Sequence, residues 1–433
     1  MREMKDSGIE WVGAIPAAWG VHRIASHFQE IKEKNTANAY SNALQFKMGK
    51  IIAKPQKWDE DETNETYSAY TVVHPNTIMI NGLNLEFDFV TQRVARVECN
   101  GIITSAYIAL SPRDDINAEY ICYLLKSYDA CRAFHSMGRG LRKILSYSEL
   151  KNKPIVVPPL AEQERIAAFL DAEYAEIDAV LEKTRASIEE YKKLKQAVIT
   201  QAVTKGIRGD RPMKDSGIEW IGKIPAEWDV VRQKYFWNTV ESGVSVNAAD
   251  KPVDNSEQYG VLKTSAVSKF VFIPTEHKQV NLEEYGRVSC PVRADSIIAS
   301  RMNTPELVGA CGYVQNNYPN LFLPDRLWQI TFKDGLSPKY AWYYLSGIRV
   351  RQYISSLSTG TSSSMQNISQ SQYGNIFITI PSIGEQSEIT KYLDEKCRSV
   401  DALVTKKQQY LTEIENYKKS LIYEYVTGKK EVV

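Results

Sequence analysis

The chain is poor in the features that mark membrane, secreted and metal-binding proteins. No apolar run approaches the ~18 residues of a membrane span, and no apolar core follows the first residues, MREMKDSGIEW, as it would in a secretory signal. The six cysteines are scattered, with neither a CxxC pair nor a Cys/His spacing. Such cysteines are typical of buried, reduced thiols rather than of disulfides or zinc ligands. These absences predict a cytoplasmic protein with no membrane contact, no metal and no cofactor.

An excess of charge of either sign is also missing. The net charge is +1, from 53 basic and 52 acidic residues. A strongly basic balance would point to nucleic acid as a partner, so any phosphate-binding surface here must arise from local segregation of charge. Hydrophobic residues make up 43% and charged residues 24%, as in ordinary globular proteins. The length allows about two to four domains.

What the chain has instead is an internal repeat. Residues 4–19 (MKDSGIEWVGAIPAAW) return almost unchanged as residues 213–228 (MKDSGIEWIGKIPAEW). A second repeated set follows each copy: Pro158, Glu162, Gln163, Ile166, Leu170, Asp171 and Asp178, then Pro381, Glu385, Gln386, Ile389, Leu393, Asp394 and Asp401. Between these anchors, at residues 21–141 and 229–361, almost nothing aligns. The repeated segments form a frame that is present twice, and each copy of this frame holds a different insert. This organisation suits a protein that recognises two different things at a fixed separation.

The segment after each insert predicts a long helix. Residues 160–205 contain neither glycine nor proline, and the second copy runs from about 385 to 427. An eleven-residue apolar period keeps one stripe on one face of a nearly straight helix of roughly 66 Å. A single stripe must be buried against a partner, so the two helices are predicted to pack against each other. If the two inserts lie at opposite ends of this helical rod, the helices must run antiparallel, and this is the predicted arrangement. Two separate helices, each lying on its own domain, are the alternative. The spacer-packing residues are Ile166, Ile177, Ile188, Ile199, Ile389, Val400, Leu411 and Ile422.

Each insert predicts a mixed α/β domain. In the first, strands are expected at 71–73, 77–80 and 102–110, and a helix at 120–134. In the second, strands are expected at 270–273, 296–299, 309–314 and 327–332, and a helix at 340–354. The expected domains are therefore residues 1–157 and 209–380, with helical spacers at 158–208 and 381–433.

At these residues the chain resembles the specificity subunit of type I restriction-modification enzymes. The matching motifs are MKDSGIEWIGxIPxxW before each insert, P(P/S)xxEQxxI at the start of each long helix, GIITSAY at 101–107, LKTSAV at 262–267 and SLIYEYVTGK at 420–429. The resemblance covers essentially the whole chain. It implies an α/β (α+β) fold with two globular target recognition domains, separated by a long antiparallel two-helix coiled coil and related by an internal pseudo-two-fold repeat.

The resemblance also implies a subunit that does no chemistry. Such a subunit binds an asymmetric, split double-stranded DNA target and docks two methyltransferase subunits, in some systems with two restriction subunits, for adenine-N6 methylation or restriction. The sequence agrees: residues 157–160 (VPPL) lack the leading Asn or Asp and the aromatic of a methyltransferase (N/D)PP(Y/F) motif, and there is no GxxxxGK(S/T) loop. The alternatives are a non-catalytic protein scaffold presenting two different interaction domains at fixed spacing, and a stand-alone enzyme with an unfamiliar site.

Candidate DNA-binding residues fall in the inserts. The sharpest cluster is GRGLRK at 138–143, where glycines permit close approach and Arg or Lys can bond phosphate or guanine. The corresponding stretch STGTSSSMQN at 358–367 is uncharged, but its polar groups can bond phosphates or adenine edges. A solvated basic turn and a flexible loop are the alternatives. The candidates are Gly138, Arg139, Gly140, Arg142, Lys143, Lys47, Lys50 and Asn81 in the first insert, and Lys263, Thr264, Ser265, Arg301, Asn303, Ser362, Ser363 and Gln366 in the second.

Partner docking is expected on the repeated frame. Two methyltransferase copies are one polypeptide and need two similar surfaces, which only the frame offers. The candidate docking residues are Glu162, Gln163, Glu385 and Gln386. The alternative is that these residues only begin the helix, where the helix dipole favours a glutamate.

Overall fold

The computed structural model describes residues 2–47, 49–55, 67–88, 91–138, 143–255, 257–362 and 365–432, with 361 and 362 described for their backbone only. The chain divides into two compact units. Unit 1 comprises residues 1–185 and 408–433, and unit 2 comprises residues 186–407. Each unit therefore takes one stretch from each of two long helices, the first long helix (Leu160–Lys205) and the second long helix (Ile383–Val426).

Unit 1 consists of short strands and short helices around one larger sheet. Its strands are β1 (Met4–Asp6), β2 (Ala14–Pro16), β3 (Gly20–Arg23), β4 (Phe28–Glu30), β5 (Leu44–Lys47), β6 (Lys50–Ala53), β7 (Thr71–Val73), β8 (Ile78–Ile80), β9 (Val94–Arg96), β10 (Gly101–Ile103), β11 (Ile108–Pro112) and β12 (Pro154–Val157). Its short helices are Ile24–His27, Ala118–Ala130, Ala133–Met137 and Tyr147–Leu150. The larger sheet is antiparallel, in the order β4-β11-β8-β9. Two-stranded sheets join β1 to β2, β3 to β12, β5 to β6 and β7 to β10.

The core of unit 1 lies between this sheet, helix Ala118–Ala130 and the long helices. Asn117 caps the short helix by accepting from the amides of Glu119 and Tyr120 at 3.0 and 2.9 Å. Tyr120 is fully buried, and its hydroxyl donates to the carbonyl of Val426 at 3.0 Å. The end of the second long helix is therefore part of this core. Its buried members are Leu421, Ile422 and Val426.

Unit 2 repeats the plan with more strands. They are β13 (Met213–Asp215), β14 (Lys223–Pro225), β15 (Asp229–Arg232), β16 (Trp237–Ser242), β17 (Ala248–Ala249), β18 (Gly260–Leu262), β19 (His277–Val280), β20 (Pro291–Val292), β21 (Ser296–Ser300), β22 (Met302–Asn303), β23 (Cys311–Val314), β24 (Tyr318–Phe322), β25 (Leu327–Phe332), β26 (Thr359–Ser362), β27 (Met365–Asn367) and β28 (Phe377–Ile380). The short α-helices are Pro338–Ser346, Ile348–Leu357 and Gln370–Gly374, and the 3₁₀ helices are Gln233–Phe236, Thr264–Val267 and Leu282–Glu284.

The central sheet of unit 2 has the same strand arrangement as that of unit 1. Its order is β16-β25-β21-β23, so β21 stands where β8 stands in unit 1, and β23 where β9 stands. Tyr340 takes the place of Tyr120, and its hydroxyl lies 3.2 Å from the carbonyl of Val203, near the end of the first long helix. Unit 2 adds a five-stranded sheet, β17-β19-β18-β24-β20, with a small core of its own.

The long helices run antiparallel within each unit, as predicted. In unit 1, Phe169 and Tyr425 have ring centroids 4.5 Å apart, whereas Arg185, further along, pairs with Glu415 at 2.7 Å. In unit 2 the Lys195–Asp401 pair, at 2.7 Å, is followed by the Arg208–Glu388 pair, also at 2.7 Å. Of the eleven-residue stripe, six members are buried and Val400 and Leu411 are half-buried; the buried ones are Ile166, Ile177, Ile188, Ile199, Ile389 and Ile422.

The predicted elements of the inserts are partly wrong. Each predicted helix is two helices: the first is interrupted at Arg132, which has a φ of 60°, and the second at Gly347. The strand expected at 102–110 is split by a turn into β10 and β11, and the strand expected at 309–314 begins only at Cys311 because Gly309 has a φ of 68°. The strand expected at 270–273 does not form, since Phe270 has a φ of 58°.

Candidate nucleic-acid interface

In unit 1 the structure brings three predicted DNA-binding segments together. The loop after β8 (residues 81–88, the β8 loop) is bonded to the segment after 138–143, because the amide of Leu145 donates to the carbonyl of Gly82 at 2.9 Å. The contact is so close that a Cβ on Gly82 would lie 2.2 Å from the Leu145 carbonyl oxygen. The turn of the β5–β6 hairpin contacts the segment between the β8 loop and β9, with Gly49 against Gln92. The candidates scattered in sequence are thus neighbours in space.

The candidate side chains of unit 1 differ in availability. Lys47 and Lys50, which pair across the hairpin, and Lys143 are exposed. Asn81 is half-buried, and its Oδ1 accepts from the amide of Leu83 at 3.1 Å, so it shapes the loop it belongs to. Gly138 packs closely against the Lys143 backbone. Arg139, Gly140 and Arg142 lie outside the described residues.

The β8 loop also displays an aromatic side chain that is not among the residues predicted from the sequence. Phe87 is 77% exposed, although it is one of the largest apolar residues of the unit. A turn holds it, because the amides of Phe87 and Asp88 donate to the carbonyl of Asn84 at 3.3 and 3.1 Å. Exposed aromatics beside basic side chains are suited to apolar contact with bases. The signal in the sequence was only an Asn-rich stretch around a phenylalanine, which is also ordinary in loops.

Unit 2 juxtaposes the same two segments with different chemistry. The loop after β21 (residues 301–310, the β21 loop) begins with β22, which pairs with β27 so that Asn303 faces Gln366. The amide of Ile368 donates to the carbonyl of Arg301 at 3.0 Å, matching the Leu145–Gly82 bond of unit 1. Arg301, Asn303 and Gln366 are half-buried. Ser362 belongs to β26, the adjacent strand, and Ser363 lies outside the described residues.

The remaining candidates of unit 2 belong to a separate element. Lys263 precedes the 3₁₀ helix Thr264–Val267, and its ammonium lies 3.3 Å from Asp250. The hydroxyl of Ser265 donates to Glu276 at 2.6 Å. Lys263 and Ser265 are therefore engaged by carboxylates, and Thr264 is half-buried.

The repeated frame makes the same hydrogen bonds in both units. The indole of Trp19 donates to Glu162 Oε2 at 3.0 Å, and the indole of Trp228 donates to Glu385 Oε2 at 2.8 Å. Both tryptophans are buried, so a carboxylate at this place satisfies an indole N–H that would otherwise lack a partner.

The second carboxylate oxygen of each glutamate forms an ion pair with an arginine. Arg2 lies 2.5 Å from Glu162 Oε1, and Arg211 lies 2.6 Å from Glu385 Oε1. The guanidinium of Arg211 also lies over the ring of Trp228, 4.9 Å from its centroid. In each unit, the glutamate at the start of a long helix thus accepts from a tryptophan on one carboxylate oxygen and pairs with an arginine on the other.

The glutamine next to each glutamate ties the same helix start to the insert. Gln163 Oε1 accepts from the amide of Asn117 at 2.9 Å, and Gln386 Oε1 accepts from the amide of Ser337 at 2.8 Å. In both units the glutamine Nε2 donates, at 2.9 Å, to the carbonyl of the proline five residues earlier. The other repeated carboxylates are bonded as well: Asp171 to Tyr123, Asp394 to Tyr343, Asp178 to Lys418 and Asp401 to Lys195.

These bonds give the candidate docking residues a role inside each unit. Gln163, Glu385 and Gln386 are buried, and Glu162 is largely covered. Buried side chains are not available to a partner, whereas the residues that follow them in each helix are exposed. In unit 1 these are Glu164 and Arg165, and in unit 2 Ser387 and Glu388.

Known proteins similar to this chain share one description. The family model for the type I restriction modification DNA specificity domain matches residues 99–190 and 225–415. The MjaVIII specificity subunit of Methanocaldococcus jannaschii is 25% identical over 96% of this chain and 94% of its own length. The EcoKI specificity subunit of Escherichia coli K12 is 22% identical over 74% of this chain and 67% of its own length.

The fold is found in a solved structure as well. A chain from work on the complex assembly and conformational transition of the type I R-M system superposes with a TM-score of 0.71 at 16% identity, covering 96% of this chain and 99% of that one. Among the helices that the structure describes, none is long and apolar enough to cross a membrane. The chain belongs to the type I restriction-modification specificity family, and it is the specificity subunit of such a system, the non-catalytic component that recognises the DNA sequence.

Proposed function

We propose that each unit reads a different half-site of a split, asymmetric double-stranded DNA target, and that the repeated frame docks two copies of one methyltransferase subunit. The complex would methylate adenine at N6, and with restriction subunits it would cleave unmodified DNA. One observation carries the proposal: both units bond the same two loop segments to each other, but build them from different side chains.

The two interfaces offer different donors to DNA. Unit 1 displays the exposed ammonium groups of Lys47, Lys50 and Lys143, which suit phosphate and guanine acceptors. Unit 2 places the half-buried Asn303 and Gln366 side by side, and carboxamides suit adenine edges. Surfaces with such different donors favour two unlike half-sites over one sequence read twice.

The frame supports the docking part of the proposal. Identical subunits need two similar surfaces, and the bonds made by Glu162 and Glu385 hold the starts of the two long helices in the same local geometry. The six cysteines are free thiols, as in a reducing cytoplasm, which we take to be the compartment.

Single-molecule sequencing for N6-methyladenine tests the proposal most directly. Genomic DNA from cells with and without this gene, both carrying the methyltransferase gene, would be compared. We expect a motif that appears only with this gene and consists of two different half-sites separated by unread bases. A perfect inverted repeat, or no gene-dependent motif, would contradict the proposal.

A gel-shift assay at one fixed salt concentration tests the docking. The subunit, with and without methyltransferase, would be mixed with the motif duplex and with a scrambled duplex of equal length, since affinity for DNA depends strongly on salt. Methyltransferase-dependent selectivity for the motif is expected. Protein partners without any affinity for DNA would favour the scaffold hypothesis.

A further inference from the structure

A buried arginine holds the β8 loop of unit 1 from inside. Arg93 is fully buried, and its guanidinium donates to four main-chain carbonyls of that loop. Nη1 donates to Asn81 at 3.1 Å and to Leu83 at 2.7 Å, and Nη2 donates to Asp88 at 2.6 Å and to Asn84 at 3.5 Å. Nη2 also lies 3.8 Å from the Asp88 carboxylate. The loop that carries Phe87 is therefore fixed at both ends by one side chain.

A second buried arginine does the same for the β21 loop of unit 2. Arg351 comes from helix Ile348–Leu357, and its guanidinium Nη2 donates to the carbonyls of Glu306 at 3.2 Å and Val308 at 2.6 Å. The guanidinium lies over the ring of Phe270, 5.0 Å from the centroid. The held segment directly follows β22 and Asn303, which pairs with Gln366.

The two arginines are not counterparts in the chain. Arg93 directly precedes β9, the edge strand of its central sheet, whereas Arg351 lies on a helix that follows the whole sheet of unit 2. Different positions thus supply the same contact to the loop after the equivalent strand, β8 or β21. The arginine contact therefore differs from the bonds of the repeated frame, which are made by residues at matching positions of the two repeats.

Burying the Arg351 cation is a poor way to stabilise a core, and the Arg93 cation has only the Asp88 carboxylate at 3.8 Å to compensate its charge among its contacts with the β8 loop. Desolvation lowers the pKa of Arg351, and its Nε and Nη1 have no hydrogen-bond partner among the described residues. Apolar residues of similar volume often stabilise an interior as well as a buried charge does or better. What an arginine provides is a rigid planar fork that fixes several carbonyls in one geometry.

We propose that Arg93 and Arg351 are positioning residues for sequence recognition, each fixing the loop that its own unit presents to one half-site. The inference rests on the proposed split target. Neither guanidinium touches DNA; each acts through the geometry of the backbone it holds. Substituting one arginine therefore weakens selectivity at one half-site only.

The experiment uses the complete complex with methyltransferase subunits and three labelled duplexes. One carries the sequenced motif, one has the first half-site scrambled and one has the second scrambled. Fluorescence anisotropy gives the ratio of affinities for the motif and each scrambled duplex. Arg93→Lys keeps the charge but loses the fork, so we expect about a tenfold fall in selectivity at one half-site and less than about a twofold change at the other. Arg351→Lys should show the reverse.

Matched controls exclude a general effect of replacing arginine. Arg96→Lys in unit 1 and Arg349→Lys in unit 2 change partly or fully exposed arginines and should leave both ratios unchanged. Thermal unfolding is measured for every variant. Should Arg93→Lys or Arg351→Lys fail to assemble, the Arg→Gln variant, whose amide offers two donors, takes its place with the same expected pattern.

The outcomes separate the inference from its premise. Equal loss at both half-sites, or unchanged ratios in a folded variant, would overturn the positioning role. A wild-type complex that binds all three duplexes equally would overturn the split-target proposal, and the inference with it.

Discussion

Units 1 and 2 repeat their bonds around the long helices but differ where they present loops. Trp19 and Trp228 donate to matching glutamates, and Tyr120 and Tyr340 reach matching carbonyls. The loops after β8 and β21 share neither sequence nor the source of their arginine anchor. The frame therefore repeats individual hydrogen bonds in both units, whereas the inserts share only the placement of two segments side by side.

The strands around the central sheets also differ between the two units, whereas the central sheets themselves do not. Unit 2 surrounds its central sheet with a five-stranded sheet, while unit 1 has the smaller β5–β6 and β7–β10 pairs. The central four-stranded sheet keeps its order in both. A common sheet can therefore support different accessory parts, provided that the strand before the loop stays in place.

The largest effect is expected from breaking the frame of unit 2. Glu385→Ala would leave the Arg211 guanidinium and the Trp228 indole without their buried acceptor, lowering the free energy of unfolding by about 3–5 kcal/mol. Glu162→Ala should cost less, because Arg2 is more exposed than Arg211. Urea denaturation measures both. Glu388→Ala, which removes an exposed ion pair, is the control and should cost no more than about 1 kcal/mol. Equal losses in all three variants would show that the buried contacts of Glu385 do not stabilise unit 2 more than an exposed ion pair does.

A smaller effect separates two buried tyrosines. Tyr120→Phe removes the hydroxyl bonded to Val426 and should cost about 1–3 kcal/mol. Tyr344→Phe removes a buried hydroxyl without a hydrogen-bond partner in the described part of the chain, so it should be neutral or stabilising. Differential scanning calorimetry on the two variants distinguishes these outcomes, and equal destabilisation would refute the assignment.

The same tyrosines are among the buried phenols that make stability depend on pH in alkaline solution. Burial raises the pKa of Tyr120 and Tyr344 well above the ordinary value. Above about pH 10 the unfolded chain loses phenolic protons that the folded chain keeps, so stability is complete below that pH and falls as pH rises. Urea midpoints between pH 8 and 11 should show this fall. Tyr344→Phe should make the fall of stability with pH shallower. An unchanged slope would show that Tyr344 does not contribute to this fall.

Phe87 tests whether the β8 loop contacts bases. Phe87→Ala should weaken binding of the motif duplex by the complex by about 1–2 kcal/mol, while leaving stability within about 0.5 kcal/mol because the ring is exposed. Anisotropy and thermal unfolding on the same preparation report the two quantities. A matched control is Leu282→Ala, since Leu282 is 81% exposed on a 3₁₀ helix of unit 2. Equal effects on binding would remove Phe87 from the interface.

The smallest effect concerns phosphate contacts. Lys50→Ala should reduce the slope of log affinity against log salt by about 1, as expected for one lost phosphate contact. Lys263→Ala should change the slope less, because Lys263 already lies 3.3 Å from Asp250. Binding isotherms at four salt concentrations suffice. A larger change for Lys263 would reverse this ranking of the two units.

The sequence predicted regular elements where patterns are local and strong. β25 spans the predicted residues 327–332, and the long helices follow from their uninterrupted composition. It could not reveal that Phe270 adopts a positive φ, or that Arg132 ends a helix in the left-handed region, because tertiary packing decides both. The repeat drew attention to the two glutamates of the frame, but it could not show that Glu385 is buried and that Glu162 is largely covered.

The candidate interface was predictable only in part, for a related reason. Basic and polar loops stand out in a sequence, so Lys47, Lys50 and Gln366 could be named. Their assembly depends on main-chain bonds such as that between Leu145 and Gly82, which leave no mark on residue type. Arg93 could not be selected for the same reason, since its hydrogen bonds to the loop go to main-chain carbonyls and its contact with the Asp88 carboxylate is 3.8 Å long.

Those carbonyl acceptors have a consequence for how specificity can change. Every amino acid offers the same carbonyl oxygen, so Arg93 holds the β8 loop whatever side chains the loop displays. Side-chain substitutions in the β8 loop are therefore expected to change the DNA sequence that is recognised without removing the hydrogen bonds from Arg93 to the loop backbone. A library that varies residues 84–87 around an unchanged Arg93 is therefore a direct route to new target sequences, and Arg351 gives the β21 loop the same tolerance.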